Sequence, residues 1–120
     1  MTQPIRLADK LAAFTEHWQP KLIAELNGQH VKLAKLQGEF VWHAHEEEDE
    51  LFLVLHGELT MEYRDRTVTL REGELLVVPR GVEHRPVAER EVHVLLFEPA
   101  STLNTGATGG PRTVERPERL

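Results

Sequence analysis

The chain has 120 residues, a length that suits one domain with a single hydrophobic core. Its formal charge is −6 and its 14 Lys and Arg residues are scattered, which argues against a nucleic-acid partner. It contains no cysteine, so a metal site would have to use nitrogen and oxygen ligands. The N-terminus lacks the pattern of a secretory signal, and no apolar stretch approaches the ~20 residues needed to cross a bilayer. We therefore expect a cytoplasmic protein without a membrane partner.

Residues 7–18 predict a short amphipathic helix. Leu7, Leu11, Phe14 and Trp18 recur at helical spacing. Pro20 then ends the segment, because proline cannot continue a helix. We expect this helix to lay one apolar stripe on the rest of the domain.

After Pro20 the sequence changes to short apolar runs that are separated by turn residues. Asn27-Gly28 lies between the first two runs and predicts a hairpin, because this dipeptide tolerates the positive φ angles of a type I′ turn. The later runs are FVWHAH, LFLVLHGELTMEY, TVTL, LLVV and VHVLLF. Such a series of short, turn-bounded strands is typical of an all-β sandwich or barrel.

We place the barrel core at about residues 21–100, inside one domain that takes in the whole chain, 1–120. The run 51–55 (LFLVL) is apolar on both faces, so its outer face would be covered by the N-terminal segment or by a second subunit. Residues 101–120 form a polar tail, rich in Gly, Thr, Pro and Arg. The tail either wraps the barrel as an ordered coil or is partly mobile.

The sequence His43-Ala44-His45 is a candidate chelating pair. Side chains two apart on a strand point to the same face, so the two imidazoles would project side by side. An acidic run follows, and Glu50 borders LFLVL, where a hairpin would set its carboxylate opposite the pair. His84 lies beyond the turn 79–81. From spacing alone, exposed strand histidines, a solvated acidic loop and a turn histidine remain open as alternatives.

Two stretches of the chain resemble the two motifs of the cupin superfamily. The matching positions are Gly38, His43, His45, Glu50 and Gly57 in the first motif, and Gly73, Pro79, Gly81 and His84 in the second. Glu50 lies seven positions before Gly57, which selects it over Asp49. Two features depart from the pattern: the first gap is one residue shorter than usual, and Ala88 stands where the second motif usually ends in Asn, which is not a metal ligand in the family.

The resemblance implies a jelly-roll barrel (a double-stranded β-helix) with a short N-terminal helix. It also implies one divalent transition metal, with Fe, Mn, Ni, Co, Cu and Zn all open. The implied ligands, called the His3Glu cluster below, are His43, His45, Glu50 and His84. The whole chain is similar to small single-domain cupins described as mannose-6-phosphate-isomerase-like, a label of fold rather than of reaction. Small cupins are commonly dimers, so we expect a homodimer.

Three functions are compatible with this reading. The first is a metal-dependent enzyme on a small oxygenated or anionic substrate, with dioxygenase-type and isomerase-type chemistry both open. The second is a non-catalytic module that binds or senses a small ligand, and the third is a barrel that binds no metal, which the intact cluster disfavours. No catalytic residue is assigned: His93 and Tyr63 have suitable side chains but fit ordinary strand positions. A phosphosugar enzyme would need Arg or Lys side chains at the phosphate. Arg80 and Arg85 flank the second motif, but two arginines near a turn are more often surface charge.

Overall fold

The computed structural model describes residues 2–120, and within them the chain is an all-β jelly roll with one short helix, as predicted. Among these residues no helix has the length and apolar character needed to span a bilayer. The elements are α1 (Leu7–Ala12), β1 (Lys21–Leu26), β2 (Gln29–Glu39), β3 (Glu50–His56), β4 (Leu59–Tyr63), β5 (Thr67–Leu70), β6 (Leu75–Val78) and β7 (His84–Pro99).

The long strand β7 joins the two halves of the barrel. Its first residues pair with β4, from His84 opposite Tyr63 to Val87 opposite Thr60. Its later residues lie between β2 and β3, so that the strand order on that side is β1-β2-β7-β3-β6. All of these pairings are antiparallel. The strand β7 therefore carries His84 at its first residue, and its later part lies beside β3 in the same sheet.

The hairpin between β1 and β2 turns at Asn27-Gly28, as predicted. Both residues have positive φ, 50° for Asn27 and 77° for Gly28. A type I′ turn needs positive φ at both central positions, which asparagine and glycine adopt at little cost. The prediction from the dipeptide is confirmed.

The helix is shorter than the 7–18 predicted from the apolar spacing, because it ends at Ala12. Beyond it the backbone makes tertiary contacts: Lys35 Nζ donates to Phe14 O (2.6 Å), and Trp18 N donates to Lys35 O (2.9 Å). His17 thus forms a bridge to Lys35 rather than lying on a helix. Phe14 and Trp18 are buried as expected, but they lie on an irregular segment along β2 and not on a helix. The tertiary contacts of this segment outweigh its preference for a helix.

The segment 41–49, predicted to be a strand over its first half, is irregular apart from one bridge between His43 and His84. Phe40 N donates to Pro86 O (3.0 Å), but Pro86 has no N–H to return a bond. The antiparallel ladder between this segment and β7 is therefore interrupted.

The N-terminal segment covers part of the outer face of the sheet. Phe14, Ile23 and Leu33 form a buried cluster on that face, and Leu55 and Leu95 pack against it. The face continues beyond this cover, where Leu75 is 60% and Val77 is 47% exposed.

The tail 101–120 is an ordered coil along the barrel. Its last residues run beside β1: Leu22 N donates to Glu118 O (2.8 Å), and Leu120 N donates to Leu22 O (3.0 Å).

Candidate metal centre

The two motifs meet through their backbones. His43 N donates to His84 O (3.1 Å), and His84 N donates to His43 O (2.9 Å). His45 lies two residues further along the same segment, where its carbonyl oxygen accepts a hydrogen bond from Gly81 N (2.8 Å). Glu50 opens β3, which lies beside β7. All four members of the His3Glu cluster are thus brought together, although the segment that carries the histidine pair is not a regular strand.

The side chains of the cluster converge on one point in the interior. The ring centroids of His43 and His84 are 4.2 Å apart, and those of His43 and His45 are 4.9 Å apart. Glu50 Oε1 lies 3.1 Å from His45 Nε2 and 3.5 Å from His84 Nε2. One ligand atom from each of the four residues lies within 4.8 Å of the others, and all four residues are buried.

Two of the imidazoles are oriented by backbone carbonyl groups. His43 Nδ1 lies 2.9 Å from Val41 O, and His84 Nδ1 lies 2.9 Å from Val82 O. A carbonyl oxygen only accepts, so each Nδ1 carries the proton and each Nε2 is left with a free lone pair. This fixed tautomer is the usual arrangement of a metal-binding histidine.

Several polar atoms of the His3Glu cluster have no hydrogen-bond partner. His45 Nδ1, His45 Nε2, Glu50 Oε1 and His84 Nε2 are all buried and unpaired. Leaving one such atom buried without a partner costs about 1–3 kcal/mol. A cation would satisfy the carboxylate oxygen and the imidazole nitrogens together, so the donor set fits a divalent transition metal.

Burial and neighbouring charges favour the metal-binding forms of two of the ligands, His43 and Glu50. Burial lowers the pKa of His43 to about 4, with the neighbouring His84 acting in the same direction, so the ring is neutral at neutral pH. Burial would raise the pKa of Glu50, but the imidazoles of His45 and His84 outweigh it and hold that pKa well below its usual range. His43 therefore offers a neutral nitrogen and Glu50 an ionised carboxylate, the forms that bind metals.

A small cavity of about 30 Å³ adjoins the cluster. One water needs roughly 10–15 Å³ by this measure, so the cavity has room for about two waters. His43 and Glu50 reach its wall, and among residues 2–120 the other lining side chains include no Lys or Arg. Those other residues are Trp18, Pro20, Ala34, Leu36, Phe40, Phe52, Pro86, Val94, Leu96 and Asn104.

Part of that wall comes from a compact loop of the tail, loop 104–114. Asn104 Nδ2 donates to Arg112 O (2.7 Å), and Val114 N donates to Asn104 Oδ1 (2.8 Å), which closes the loop on itself. The loop is fastened to the histidine segment, because Thr108 Oγ1 donates to Trp42 O (3.1 Å). The sequence reasoning treated this loop only as part of the polar tail 101–120, and nothing in the sequence pattern marked Asn104 as a wall residue.

The other charged or titratable residues considered from the sequence lie outside the cavity. Arg80 is exposed and pairs with Asp49, and Arg85 pairs with Glu62. His93 contacts Glu91 Oε2 (3.2 Å) on the other face of β7, and Tyr63 is a core residue under Arg66.

The sequence reasoning missed a buried acid beside the cluster. Glu98 is 2% exposed, and its carboxylate lies 3.7 Å from the buried Lys32 Nζ. Burial, and next the charge of Glu50, raise the pKa of Glu98 well above its usual range. The alternation Val92, Val94, Leu96, Glu98 along β7 was the available signal, since the first three face the core.

One protein of similar sequence and two solved structures resemble this chain. A Bacillus subtilis (strain 168) protein, YdbB, described as uncharacterized, is 44% identical over 64 residues, which span 52% of this chain and 57% of that protein. The crystal structure of a cupin-2 domain containing protein from Shewanella frigidimarina NCIMB 400 is 46% identical, with a TM-score of 0.79 over 79% of this chain and 93% of the other. Protein NMB1881 from Neisseria meningitidis is 35% identical, with a TM-score of 0.75 over 82% of this chain and 100% of the other.

A match of this chain to the model of a whole domain tests the family resemblance that we inferred from the two motifs. The model of the cupin domain matches residues 29–98, from the start of β2 to the penultimate residue of β7. This range contains the whole His3Glu cluster and most of the barrel that surrounds it. The chain therefore belongs to the cupin domain family.

Proposed function

We propose that the protein binds one divalent transition metal through the His3Glu cluster and acts as an enzyme on a small substrate that carries one oxygen donor. The observation that carries the proposal is the group of buried, unpaired ligand atoms that face one another. Iron, manganese, nickel, cobalt, copper and zinc all accept this mixture of nitrogen and oxygen ligands. When bound, the metal would supply Lewis acidity or redox chemistry, and isomerase-type and dioxygenase-type reactions are both open.

The charge and the walls of the site define the substrate class. Three neutral imidazoles and one carboxylate leave a divalent site with a net charge near +1, which favours a monoanionic ligand. The stacked rings of Trp18 and Phe40, 4.8 Å apart, exclude water and present an apolar surface. We therefore propose a substrate with a single anionic or carbonyl oxygen and an apolar body.

The size of the cavity adds a requirement. A volume of about 30 Å³ is too small to enclose an organic substrate, so we propose that part of the wall moves when one binds. Asn104 of loop 104–114 lies outside the barrel strands, as do the wall residues Trp18, Pro20 and Phe40. The hydrogen bond from Thr108 Oγ1 to Trp42 O fastens this loop to the histidine segment. We propose that this loop opens to admit the substrate.

A second candidate is a non-catalytic module that binds a small ligand at the metal. It is favoured by the composition of the cavity wall, in which His43 and Glu50 are the only general acid or base groups among residues 2–120. Both are assigned as ligands, so neither is free for proton transfer.

The metal content of untagged protein tests the proposal. We expect about one metal ion per chain, lost in a His43→Ala/His45→Ala double variant and kept in a His17→Ala/His93→Ala control, whose histidines lie outside the site. Absence of metal after reconstitution with all six ions would overturn the proposal. Incubation of the loaded protein with small carboxylates, enols and phenols then separates the two candidates: turnover supports the enzyme, and a change in the metal spectrum without turnover supports the binding module.

A further inference from the structure

We propose that a crevice between residues 17–19 and residues 111–114 binds a small monocarboxylate with an apolar body, and that the guanidinium of Arg112 pairs with its carboxylate. This crevice, called the tail crevice below, is separate from the His3Glu cluster, and none of the four ligands lines it. The proposal therefore holds whether or not a metal binds.

The tail crevice has the size and the charge of a site for a small anion. Its volume is about 360 Å³, within the range of small-molecule sites. Trp18 and Val114 supply apolar surface and Arg112 supplies a cation, and within residues 2–120 no Asp or Glu lines it. His17 also lines it, with its imidazole 2.7 Å from Glu91, which lies outside the lining. On a chain with a formal charge of −6, such a concave, locally positive surface attracts anions.

Arg112 is partly buried and has no carboxylate partner. Arg6, Arg90 and Arg116 also lack an ion pair, but they are exposed, so water solvates them. Within residues 2–120, Arg112 is thus the one arginine that has lost part of its hydration without gaining an ion pair, and a bound anion would compensate that loss. The remaining arginines pair with Asp or Glu, namely Arg64, Arg66, Arg71, Arg80, Arg85 and Arg119.

Two aromatic rings hold the guanidinium of Arg112 in place. Its Cζ lies 5.4 Å from the ring centroid of Trp18 and 5.9 Å from that of Phe40. These rings are stacked with their centroids 4.8 Å apart, so a group at similar distances from both lies beside the stack. Aromatic contacts orient a guanidinium without neutralising it. An oriented guanidinium presents two parallel N–H groups, which match the two oxygens of a carboxylate.

The backbone of Trp18 is held in an unfavourable conformation beside Arg112. Its φ is 62°, in the left-handed region that bulky residues avoid. Trp18 N donates to Lys35 O (2.9 Å) and Trp18 Nε1 donates to Gln37 O (2.9 Å), which holds the residue there. The indole is thereby fixed as a common wall of the tail crevice and of the cavity at the metal site. Strain of this kind is concentrated at ligand-binding positions.

An NMR titration of the full-length protein, kept free of metal by a chelator so that no probe binds at a metal, tests the proposal. The probe is cyclohexanecarboxylate, and the uncharged cyclohexanecarboxamide has nearly the same shape. The chain has two tryptophans: the indole N–H signal of Trp18 reports on the tail crevice, and that of Trp42, which does not line it, is the internal control. Trp42→Phe assigns the two signals.

Two matched variants identify the partner of the carboxylate. Arg112→Gln and Arg116→Gln each remove one positive charge from the tail, but only Arg112 lines the tail crevice. We expect the carboxylate to shift the Trp18 signal saturably, and the carboxamide to bind at least about tenfold more weakly. Arg112→Gln should weaken the binding of the carboxylate by a similar factor, and Arg116→Gln should bind it as the parent does.

The absence of a saturable shift of the Trp18 signal in the parent would overturn the proposal, as would equal affinities for the two probes. Equal affinities of the parent and Arg112→Gln for the carboxylate would overturn it too. An equal loss of affinity in Arg112→Gln and Arg116→Gln would show that the general charge of the tail attracts the anion, which also contradicts it. Should Arg112→Gln displace loop 104–114, as judged from its amide signals without probe, the comparison of the two probes on the parent still decides.

Discussion

His43 and His84 hold each other through a reciprocal pair of backbone hydrogen bonds, of 3.1 and 2.9 Å, and their imidazole centroids are 4.2 Å apart. The pair ties the segment that carries the first motif to the start of β7. Two ligands are therefore positioned by the folding of the backbone itself, before any metal binds. This preorganisation keeps unpaired nitrogens buried in the metal-free protein, which costs free energy. A bound metal would remove that cost.

Metal binding is expected to stabilise the folded protein. A ligand that binds only the native state stabilises it by about 2.7 kcal/mol at a free concentration of 100 times the dissociation constant. For a chain of this size the melting temperature should rise by about 10 °C. Thermal unfolding with and without each of the six metals measures the rise, with His84→Ala expected to abolish it and His93→Ala to retain it. An unchanged melting temperature with every metal would contradict the expectation.

The contribution of His43 to the stability of the metal-free protein is expected to fall as the pH drops from 6.5 towards 4. The His43 side chain titrates near 6.5 in the unfolded chain, whereas burial lowers the pKa of His43 to about 4 in the folded one. Between these values the unfolded state binds more protons, so stability rises with pH. The shift corresponds to about 3 kcal/mol across the window.

Urea unfolding in the presence of a chelator, at several pH values, measures this dependence. His43→Gln should flatten the slope between pH 4 and 6.5, because glutamine does not titrate. His56→Gln, at a position where the side chain is 63% exposed, is the control and should keep the parental slope. A slope in His43→Gln equal to that of the parent would show that His43 is not the titrating group.

Gly106 is expected to be essential for the closed position of loop 104–114. A Cβ at this residue would collide with the carbonyl oxygen of Ala44, which lies between His43 and His45. Gly106→Ala should therefore displace the loop from the metal site and lower the free energy of unfolding by about 2 kcal/mol. We also expect a chelator to remove the metal faster, because the cavity loses part of its wall.

Gly109 provides a matched control for this prediction. It also has a positive φ, 67°, but a Cβ there would meet no atom within 4 Å. Gly109→Ala should carry only the backbone penalty of about 1 kcal/mol and leave metal release unchanged. Equal rates of metal release in the two variants would mean that the loop does not close the site.

The ligands could be predicted from the sequence because their residue types and spacing match two motifs of a known family, whereas spacing alone left other interpretations open. His43, His45, Glu50 and His84 match two motifs, and the structure brings all four together. The strand geometry used to argue for the pair was wrong in detail, since Pro86 interrupts the ladder beside it. The convergence of the side chains depends on the two bonds to His84 rather than on a regular strand.

Other features could not be predicted, because they depend on contacts between distant segments. The helix was expected to reach Trp18, yet the contacts of Phe14 O and Trp18 N with Lys35 end it early. Loop 104–114 has no periodicity, so its position over the cavity follows only from Asn104 and Gly106 in three dimensions. Glu98 was missed for a different reason. The alternation along β7 marks it as inward-facing, but only the pairing of β3 with β7 shows that it lies opposite Glu50.

The outer face near β6 leads us to expect a homodimer. Leu75 lies opposite Leu53 and Val77 opposite Leu51 on this face, which the N-terminal segment leaves uncovered. Within residues 2–120, β6 pairs only with β3, and its sequence, LLVV, contains neither a charge nor a proline to protect a free edge. An antiparallel edge strand is self-complementary about a two-fold axis, so a second copy of the chain is the partner that fits.

Light scattering at micromolar concentration measures this prediction, with an expected molar mass twice the 13.7 kDa of one chain. Leu75→Lys/Val77→Lys should reduce the mass to that of a monomer, because two buried ammonium groups would face each other across the axis. Leu26→Lys changes a leucine of similar exposure, 46%, on β1 at the opposite end of the strand order, and should leave the dimer intact. A monomeric mass for the parent would refute the homodimer. Dissociation of the dimer by Leu26→Lys alone would show that the interface lies at β1 instead.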